Sequence, residues 1–587
     1  MRWSVFVVLS SAAYYGASAH GAISWSGDLD PADPLTWTNT TSASIGKTSE
    51  GWLSIAGGDA VSSRFGYIGN ETGSTGSVTV DGAGSLWSNG AALEIGHQGT
   101  GTLAVTGGGS VWDGSSGYIG GDAGGTGRVV VDGVGSEWVN DANVFVGNYG
   151  EGLLVISGGG HVQASYGAYV ARFSGSSGEI HFADGSLSTG RLLCAIDDLT
   201  GEGTIYTHGL VSDVDLVFDA AHGLNQTLVL DKNPGQNLTL FLNVDGSGYL
   251  GAGYSGAAQT LITDGVTVES ESGSIGWHEG SRGTVTVDGV GSTWNNKIGV
   301  HVGLYGDGTL NITGGGVVTS GVGFLGYPGT GRVLVDGDGS AWMNRESLYI
   351  GQFGTGTLKI TGGGRVNNDA GLLGATPGGT GHVAVEGSGS TWINESRLEV
   401  GLEGAGFMTI AGGGAVRNLD EGYIGRLRDS RGRVTVEGAG SSWTNCSSLV
   451  VGRNGVGTLE ITRRGLVKVD GSMGIDIVNS GESSVDMATG GMLALRGEAH
   501  GSLQDFLGLV EGAGLVRYWN NSLAEWAPIT EARYGEEYTL RYFTEGDLAG
   551  FTVLAVGAIP EPSSFLLQTV FALAVARRRL FAQDSRR

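Results

Sequence analysis

Residues 282–316 read RGTVTVDGVGSTWNNKIGVHVGLYGDGTLNITGGG, and this stretch decides the fold. Apolar and polar residues alternate in short runs such as Val285-Thr286-Val287 and Leu310-Asn311-Ile312, and glycine follows each run, at Gly289 and at Gly314–Gly316. Alternation with a period of two is typical of β-strands, and glycine is the residue that adopts positive φ in tight corners. The stretch therefore predicts short strands joined by glycine corners.

The same pattern recurs in two arrays with a period near 50 residues. Each unit begins with an apolar-Gly pair, and successive pairs are 51 and 51 residues apart in the first array and 50, 48 and 51 apart in the second. The pairs are Ile68-Gly69, Ile119-Gly120, the degenerate Val170-Ala171, Ile275-Gly276, Leu325-Gly326, Leu373-Gly374 and Ile424-Gly425. Each unit has two similar halves. We expect an all-β fold, a right-handed parallel β-helix or solenoid of ~25-residue coils paired into ~50-residue repeats.

Composition and charge narrow the class of protein. The 587 residues include 113 Gly and 8 Pro, with 40% hydrophobic and 15% charged residues. The absence of a G-X-Y period excludes collagen, and the regular apolar triplets argue against a disordered chain. The formal net charge of −26 opposes binding to nucleic acid and to anionic membrane surfaces.

Changes in pattern divide the chain into six predicted regions. These are a signal peptide (1–19), a first array (20–172), an irregular β-solenoid segment (173–272), a second array (273–470), a small C-terminal cap (471–558) and a sorting segment (559–587). A cap is expected because the end of a solenoid exposes unpaired strand edges. Within it, Leu503–Val510 resembles a helix and Tyr538–Phe543 an aromatic strand. Arg463-Arg464 replaces two corner glycines, which puts the corner geometry there in doubt.

The two ends of the chain carry targeting patterns. Arg2, an apolar run over Val5–Ala13 and the small residues Ala17-Ser18-Ala19 indicate a secretory signal peptide, with cleavage expected before His20. At the other end, a Pro-rich break precedes an apolar run that is shorter than the ~20 residues needed to span a bilayer. A basic stop, Arg577, Arg578 and Arg579, follows this run directly. A removable sorting signal with transient membrane contact fits this arrangement.

This C-terminal segment resembles a PEP-CTERM sorting signal, the motif recognised by exosortases in bacteria that make extracellular polysaccharide. In that family Pro560, Glu561 and Pro562 would be the recognised triplet. The repeats GTGxVxVDGxGSxW and xxIGxxGxGTLxITGGG, over roughly residues 37–172 and 273–470, resemble those shared by autotransporter passengers and PEP-CTERM proteins. The resemblance implies processing near the triplet and a place at the cell surface or outside the cell. The extra tail 580–587 departs from the family pattern.

One tryptophan recurs in each repeat unit, after the strand triplet and its turn. The set is Trp87, Trp138, Trp294, Trp342, Trp392 and Trp443. If these rings are exposed, they would stack on sugar rings. If they point inward, they would form a core ladder that is stabilised by burial and ring contact. The sequence alone leaves both interpretations open.

The acidic residues give weak support for a metal site or a catalytic site. A column of carboxylates follows the strand triplets: Asp81, Asp132, Asp288, Asp336, Glu386 and Glu437. Asp-Gly is an ordinary turn pair, and the Ca²⁺-binding nonapeptide is missing. An enzyme would need paired acids, for which the candidates are Asp197-Asp198 and Asp213/Asp215 in the irregular segment. We predict no metal, no cofactor and no catalytic residue.

Three classes of function remain. The leading hypothesis is an exported structural or interaction protein of the surface or matrix, sorted by an exosortase-type enzyme, associated with exopolysaccharide and without enzymatic activity. An autotransporter-like adhesin passenger is the alternative, and it would require an outer-membrane domain of many alternating strands. A polysaccharide lyase or hydrolase is the third hypothesis.

Overall fold

The alternating triplets form the strands of a β-solenoid. The computed structural model describes residues 18–20, 23–478, 481–499 and 501–557. It is 55% strand and 3% helix, with about 18 turns of stacked parallel coils in the described residues. The all-β solenoid predicted from the period-two pattern is confirmed. The described residues fall into two compact units, one within Met1–Leu210 and Gln226–Asn243, the other within Val211–Asn225 and Val244–Arg587.

Most coils of the first unit contribute three strands, which we call the long strand, the tryptophan strand and the short strand. The long strands are Glu50–Ile55, Thr75–Asp81, Thr100–Thr106, Thr126–Asp132 and Glu151–Ser157. Ser177–Thr189 and Leu199–Thr207 run through the long and tryptophan positions together, and Asn237–Asn243 occupies the tryptophan position. The tryptophan strands are Ala60–Ser63, Leu86–Asn89, Ser110–Asp113, Glu137–Asn140 and His161–Ala164. The short strands are Ser42–Ile45, Phe65–Ile68, Leu93–Ile95, Gly117–Ile119, Asn143–Val146, Gly167–Val170 and Leu192–Cys194. Strands of one kind pair in parallel between neighbouring coils.

Antiparallel strands cover the first coil of this unit. Ile23–Gly27 pairs antiparallel with Glu50–Ile55. Ser18–His20 pairs antiparallel with Ile23–Gly27, and the cleavage predicted before His20 would remove Ser18 and Ala19 from this pairing. Leu29–Asp30 pairs in the same sense with Ser42–Ile45. Pairing of this kind blocks the edge at which another chain would add. Two 3-10 turns, Pro34–Thr36 and Ile196–Asp198, complete the unit, and Leu210–Ser212 and Asn225–Leu230 include residues of both units.

The second unit repeats the same three-strand coil. Its long strands are Leu216–Phe218, Ala257–Ile262, Arg282–Asp288, Asp307–Thr313, Thr330–Asp336, Thr355–Thr361, Thr380–Glu386, Ala405–Ala411, Arg431–Glu437, Val456–Thr462, Ser484–Met487 and Val516–Asn520. Thr267–Ile275 and Thr293–Val302 run through the tryptophan and short positions together. Later tryptophan strands are Val317–Ser320, Ala341–Asn344, Arg365–Asn368, Thr391–Asn394, Ala415–Asn418, Ser442–Asn445, Leu466–Val469 and Met492–Arg496. The short strands are Tyr249–Ala252, Val322–Leu325, Leu348–Ile350, Gly371–Leu373, Leu398–Val400, Gly422–Ile424, Leu449–Val451, Met473–Ile475 and Val510–Glu511.

The C-terminal part of this unit changes its strand direction. Phe551–Val556 pairs antiparallel with Met492–Arg496, and Tyr538–Phe543 pairs antiparallel with Phe551–Val556. Glu525–Pro528 likewise pairs antiparallel with Val516–Asn520. One short helix, Leu503–Leu507, lies where the apolar run predicted one, and 3-10 turns occupy Ala513–Leu515 and Ile529–Glu531. Antiparallel pairing thus covers strands that the parallel stacking leaves open at this end.

Alternate residues of each long strand fill the core. Val285 and Val287 are fully buried and stand in register with Leu310 and Ile312 of the next coil, which are also fully buried. Strands in neighbouring coils are about 4.8 Å apart, so each apolar side chain packs against its counterpart above and below. The core is therefore a set of apolar columns along each stack.

The corner at Arg463-Arg464 keeps the geometry of the glycine corners. Its two residues have φ of 49° and 71°, in the left-handed region, while the equivalent Gly412 and Gly413 have φ of 60° and 94°. The arginines at 463 and 464 therefore keep the backbone geometry of the glycine corners. Both residues adopt a left-handed backbone conformation that residues with a side chain disfavour.

Candidate functional site

The six recurring tryptophans lie in the core. Each of them is 0% exposed, so none presents a ring face to a sugar. Each side chain points inward because Trp occupies the inward position of its strand, as in Leu86–Asn89, where Trp87 and Asn89 are buried. Of the two interpretations left open by the sequence, the inward orientation is the one observed. Val111 lies in register between Trp87 and Trp138, so burial stabilises these rings without contact from one tryptophan to the next. The set is Trp87, Trp138, Trp294, Trp342, Trp392 and Trp443.

A buried polar ladder accompanies the tryptophans. In the second unit Asn368, Asn394 and Asn418 each donate through Nδ2 to Oδ1 of the next rung, at 2.7, 3.2 and 2.7 Å, ending at Asn445. Nε1 of Trp392 donates to Oδ1 of Asn368 at 2.7 Å. A buried amide is costly without partners, and stacking one amide per coil supplies them from the neighbouring rung.

One rung of the first unit carries a carboxyl instead of an amide. Asp113 is fully buried and stands in register with Asn89 and Asn140 of the adjacent coils. It accepts from Nε1 of Trp138 at 2.7 Å and from Nδ2 of Asn89 at 2.9 Å. Burial raises the pKa of Asp113 to about 8 because desolvation disfavours the charged form, and these two hydrogen bonds only partly offset it. This carboxyl is therefore largely neutral at neutral pH.

The acidic column has a structural role at the corners. The carboxylates of Asp81, Asp288 and Asp336 accept from the hydroxyl of Thr106, Thr313 and Thr361, one coil further on, at 2.6 to 2.7 Å. Asp132 accepts from Ser157 in the same way, Glu386 pairs with Lys359 and Glu437 with Arg463. Among the described residues, no three His, Cys, Asp or Glu side chains are arranged to hold a metal ion.

The acids of the irregular segment also contact the backbone or an amide. Asp213 accepts from the backbone N–H groups of Tyr254 and Gly256 at 2.8 and 2.9 Å, and Asp215 accepts from that of Gln259 at 2.7 Å. In the first unit, Asp197 accepts from Nδ2 of Asn233 at 2.8 Å. These contacts are those of carboxylates that fix turns and loops.

Rows of outward aromatic residues are a feature that the sequence analysis missed. In the first unit Phe145 stacks on Tyr118 and Tyr169, with ring centroids 4.8 and 5.0 Å apart. In the second unit Phe324 stacks on His301 and Tyr349 at 4.8 and 5.1 Å, with interplanar angles of 15° and 16°. The sequence signal for these rows is an aromatic residue or histidine in the middle of successive short strands. Because the rings cover one another's faces, these rows stabilise the stack and offer little face area to a ligand.

A groove lies on the outer face of the tryptophan strands in the second unit, with a volume of about 720 Å³; its lining residues are mostly polar or charged, but much of the surface they expose is apolar. Five of its residues occupy one outward register position on successive coils: Glu269, Asn295, Thr319, Met343 and Asn367. Further lining comes from residues at the ends of these strands, Asn296, Lys297, Asn344, Arg345, Asn368, Asp369 and Glu395. We call this feature the amide groove. The register places its long direction across the strands, along the stack.

The hydrogen bonds of the amide groove are only partly satisfied within the protein. Oδ1 of Asn295 accepts from the Thr319 hydroxyl at 2.8 Å. Nδ2 of Asn367 donates to Oε1 of Glu395 at 3.3 Å. Asn344 lies behind the groove on the buried face of its strand, with Trp342, so its Nδ2, unpartnered in the part of the chain that the structure describes, belongs to the buried polar ladder and not to the groove surface.

The predicted sorting residues, Pro560, Glu561 and Pro562 with Arg577, Arg578 and Arg579, lie outside the described residues. So does the apolar run between them, and so do residues 1–17 of the predicted signal peptide. In the described ranges, no helix has the length and apolar character needed to cross a membrane. No protein-family model, no curated protein and no solved structure matches the chain significantly.

Proposed function

We propose that this protein is exported and displayed at the cell surface or in the extracellular matrix, as a structural or interaction solenoid associated with exopolysaccharide. The observation that carries the proposal is the C-terminal order of Pro560-Glu561-Pro562, an apolar run and Arg577–Arg579. An exosortase-type enzyme would read the triplet while the apolar run contacts the membrane and the arginines fix its orientation. In this proposal the solenoid performs no catalytic step.

The character of the described chain supports a role in interaction. Stacked coils multiply one surface pattern along the stack, which is how solenoid proteins present extended binding faces. The formal net charge of −26 favours solubility outside the cell. The carboxylates that were candidates for metal binding or catalysis instead accept hydrogen bonds from neighbouring turns and coils.

The triplet is tested by the substitution Glu561→Ala in the native host. This change leaves the apolar run and the basic stop intact, so a simple membrane anchor would behave as before. Recognition of the triplet predicts that unprocessed precursor accumulates in the inner membrane and that surface yield falls. Fractionation and the mass of the mature C-terminus measure both quantities, with Ser564→Ala as the matched control. Normal processing of the Glu561→Ala variant would contradict the proposal.

Export is tested at the N-terminus. Ala17-x-Ala19 fits the cleavage rule of signal peptidases, so mature protein should begin at or next to His20. N-terminal sequencing of the surface fraction provides the measurement. Surface material that retains Met1 would contradict this part of the proposal.

A further inference from the structure

The amide groove is suited to hydrogen bonding. Asn295 and Asn367 lie at the outward register position, and each uses one end of its amide inside the protein. For these two side chains no second bond occurs among the described residues, which leaves Nδ2 of Asn295 as a donor and Oδ1 of Asn367 as an acceptor. Met343 between them is 41% exposed and adds an apolar contact. A few converging polar groups beside an apolar surface are typical of sites that orient a polar ligand.

The charges of the amide groove disfavour a polyanion. The lining contains three carboxylates and two cations. The carboxylates are those of Glu269, Asp369 and Glu395, and the cations are Lys297 and Arg345. Both cations already donate to backbone carbonyls, Nζ of Lys297 to Gly246 at 2.8 Å and Nη2 of Arg345 to Lys297 at 2.5 Å. A nucleic acid or an acidic glycan would therefore meet net negative charge in a protein that is already acidic.

The shape of the amide groove favours a polymer over a small molecule. Its lining spans six successive coils, from Glu269 to Glu395. Five steps of strand spacing make it about 24 Å long. An extended peptide commonly binds by adding to a free strand edge. The strands beneath this groove are paired on both sides, as Ala341–Asn344 is with Val317–Ser320 and Arg365–Asn368.

We propose that the amide groove binds a neutral polysaccharide chain laid along the stack of strands. Amide groups donate to and accept from the vicinal hydroxyls of sugar residues, and carboxylates accept from them; one such group recurs on most coils of the groove. Nδ2 of Asn295 and Oδ1 of Asn367 are the amide groups on the outer face that the fold leaves available to a ligand. This inference deepens the proposed function and rests on it for the source of the polymer.

The test uses the full chain and affinity electrophoresis in gels containing hydroxyethylcellulose, dextran or alginate. We expect retardation by a neutral polymer and none by alginate. Asn295→Ala and Asn367→Ala should each weaken binding by about tenfold, the effect of losing one well-made hydrogen bond in a site. Thr444→Ala is the matched control, because Thr444 continues the same outward column beyond the groove. Unchanged unfolding midpoints show that the variants are folded.

Several outcomes overturn the inference. These are no retardation by either neutral polymer, equal binding by the groove variants and the wild type, or retardation by alginate alone. Capture of a protein partner that is lost in Asn367→Ala, without neutral-polymer binding, would assign the groove to a peptide instead. Because sorting is measured by fractionation of the Glu561→Ala variant, failure here leaves the proposed export and display unaffected.

Discussion

Nε1 of Trp138 donates to Oδ2 of Asp113 at 2.7 Å, across two neighbouring coils of the buried polar ladder. Unlike the amide rungs, this carboxyl cannot donate while it is ionised. Oδ1 of Asn140, in the next rung, has no partner among the described residues. The hydrogen bonding of the ladder at Asp113 therefore depends on whether this carboxyl is protonated.

The first prediction concerns Asp113→Asn. The folded pKa is about 8 against 3.8 for the unfolded chain, because burial penalises the charge. The folded state keeps a proton that the unfolded state has released between these values, so this group makes the free energy of unfolding fall as pH rises from about 4 to 8. The slope is at most about 1.4 kcal/mol per pH unit. Asp113→Asn should abolish this slope and stabilise the protein at pH 8.

Urea denaturation at several pH values measures the difference between wild type and the Asp113→Asn variant. An amide at this position keeps one acceptor oxygen, for one of the two donors Trp138 and Asn89, and adds an N–H donor next to the rung in which Oδ1 of Asn140 lacks a partner among the described residues. Ser388→Ala, at an exposed corner, is the control: it removes no titratable group, so its pH dependence should equal that of wild type. A stability difference that does not change between pH 5 and 8 would contradict the raised pKa.

The second prediction compares two tryptophans that are buried equally. Trp392→Phe removes an N–H that donates to Oδ1 of Asn368 and leaves that buried oxygen without this donor. Trp443→Phe removes an N–H that has no acceptor within the described chain. Both lose similar packing, so Trp392→Phe should cost about 1–3 kcal/mol more, the penalty of an unsatisfied buried polar group. Equal urea midpoints for the two variants would rule out this account of the ladder.

The third prediction separates two reasons for glycine at the corners. Gly351 and Gly363 both have positive φ, 70° and 94°. A Cβ at Gly351 would overlap the backbone carbonyl of Thr380, whereas one at Gly363 would lie 3.5 Å from Cα of Asp338, an ordinary contact. Gly363→Ala should cost about 1–2 kcal/mol, from the left-handed backbone alone. Gly351→Ala should cost clearly more, because the coils must separate. Thermal unfolding compares them, and a larger loss for Gly363→Ala would refute the reasoning.

The sequence predicts the strands well because inward and outward positions alternate within each triplet. Val285, Thr286 and Val287 by themselves indicate a strand and its buried face, and their recurrence between glycine corners indicates the solenoid. Alternation could not predict which way the tryptophans point. Trp87 and Asn89 lie on the same face of their strand, and an asparagine usually indicates a solvent-exposed face. Its burial becomes acceptable only when the neighbouring coil supplies its hydrogen bonds.

The amide groove could not be predicted for a related reason. Its outward residues, such as Asn295 and Asn367, are separated by many tens of residues in sequence and meet only through the register of the coils. Because the half-repeats differ in length, sequence spacing does not fix that register. The aromatic rows were missed because their residues alternate with apolar ones in strands of only three or four residues, such as Leu348–Ile350.

The last prediction concerns Arg464, which has φ of 71° in the corner where the other repeats carry glycine. A non-glycine residue in this conformation costs about 1–2 kcal/mol, whereas glycine adopts it freely. Glycine also makes the unfolded chain more flexible, and this lowers the free energy of unfolding by about 0.4–1 kcal/mol, which offsets part of the relief of strain. Arg464→Gly should therefore stabilise the protein by up to about 1.5 kcal/mol.

Arg417→Gly is the matched control. Arg417 is an exposed arginine like Arg464, but it lies within the strand Ala415–Asn418. Glycine there gains nothing from a relaxed backbone and loses strand propensity, so this variant should be destabilised. Urea midpoints of the two variants should thus move in opposite directions. If Arg464→Gly were as destabilising as Arg417→Gly, the arginine side chain itself would be stabilising the corner, and the positive φ would not be a source of strain.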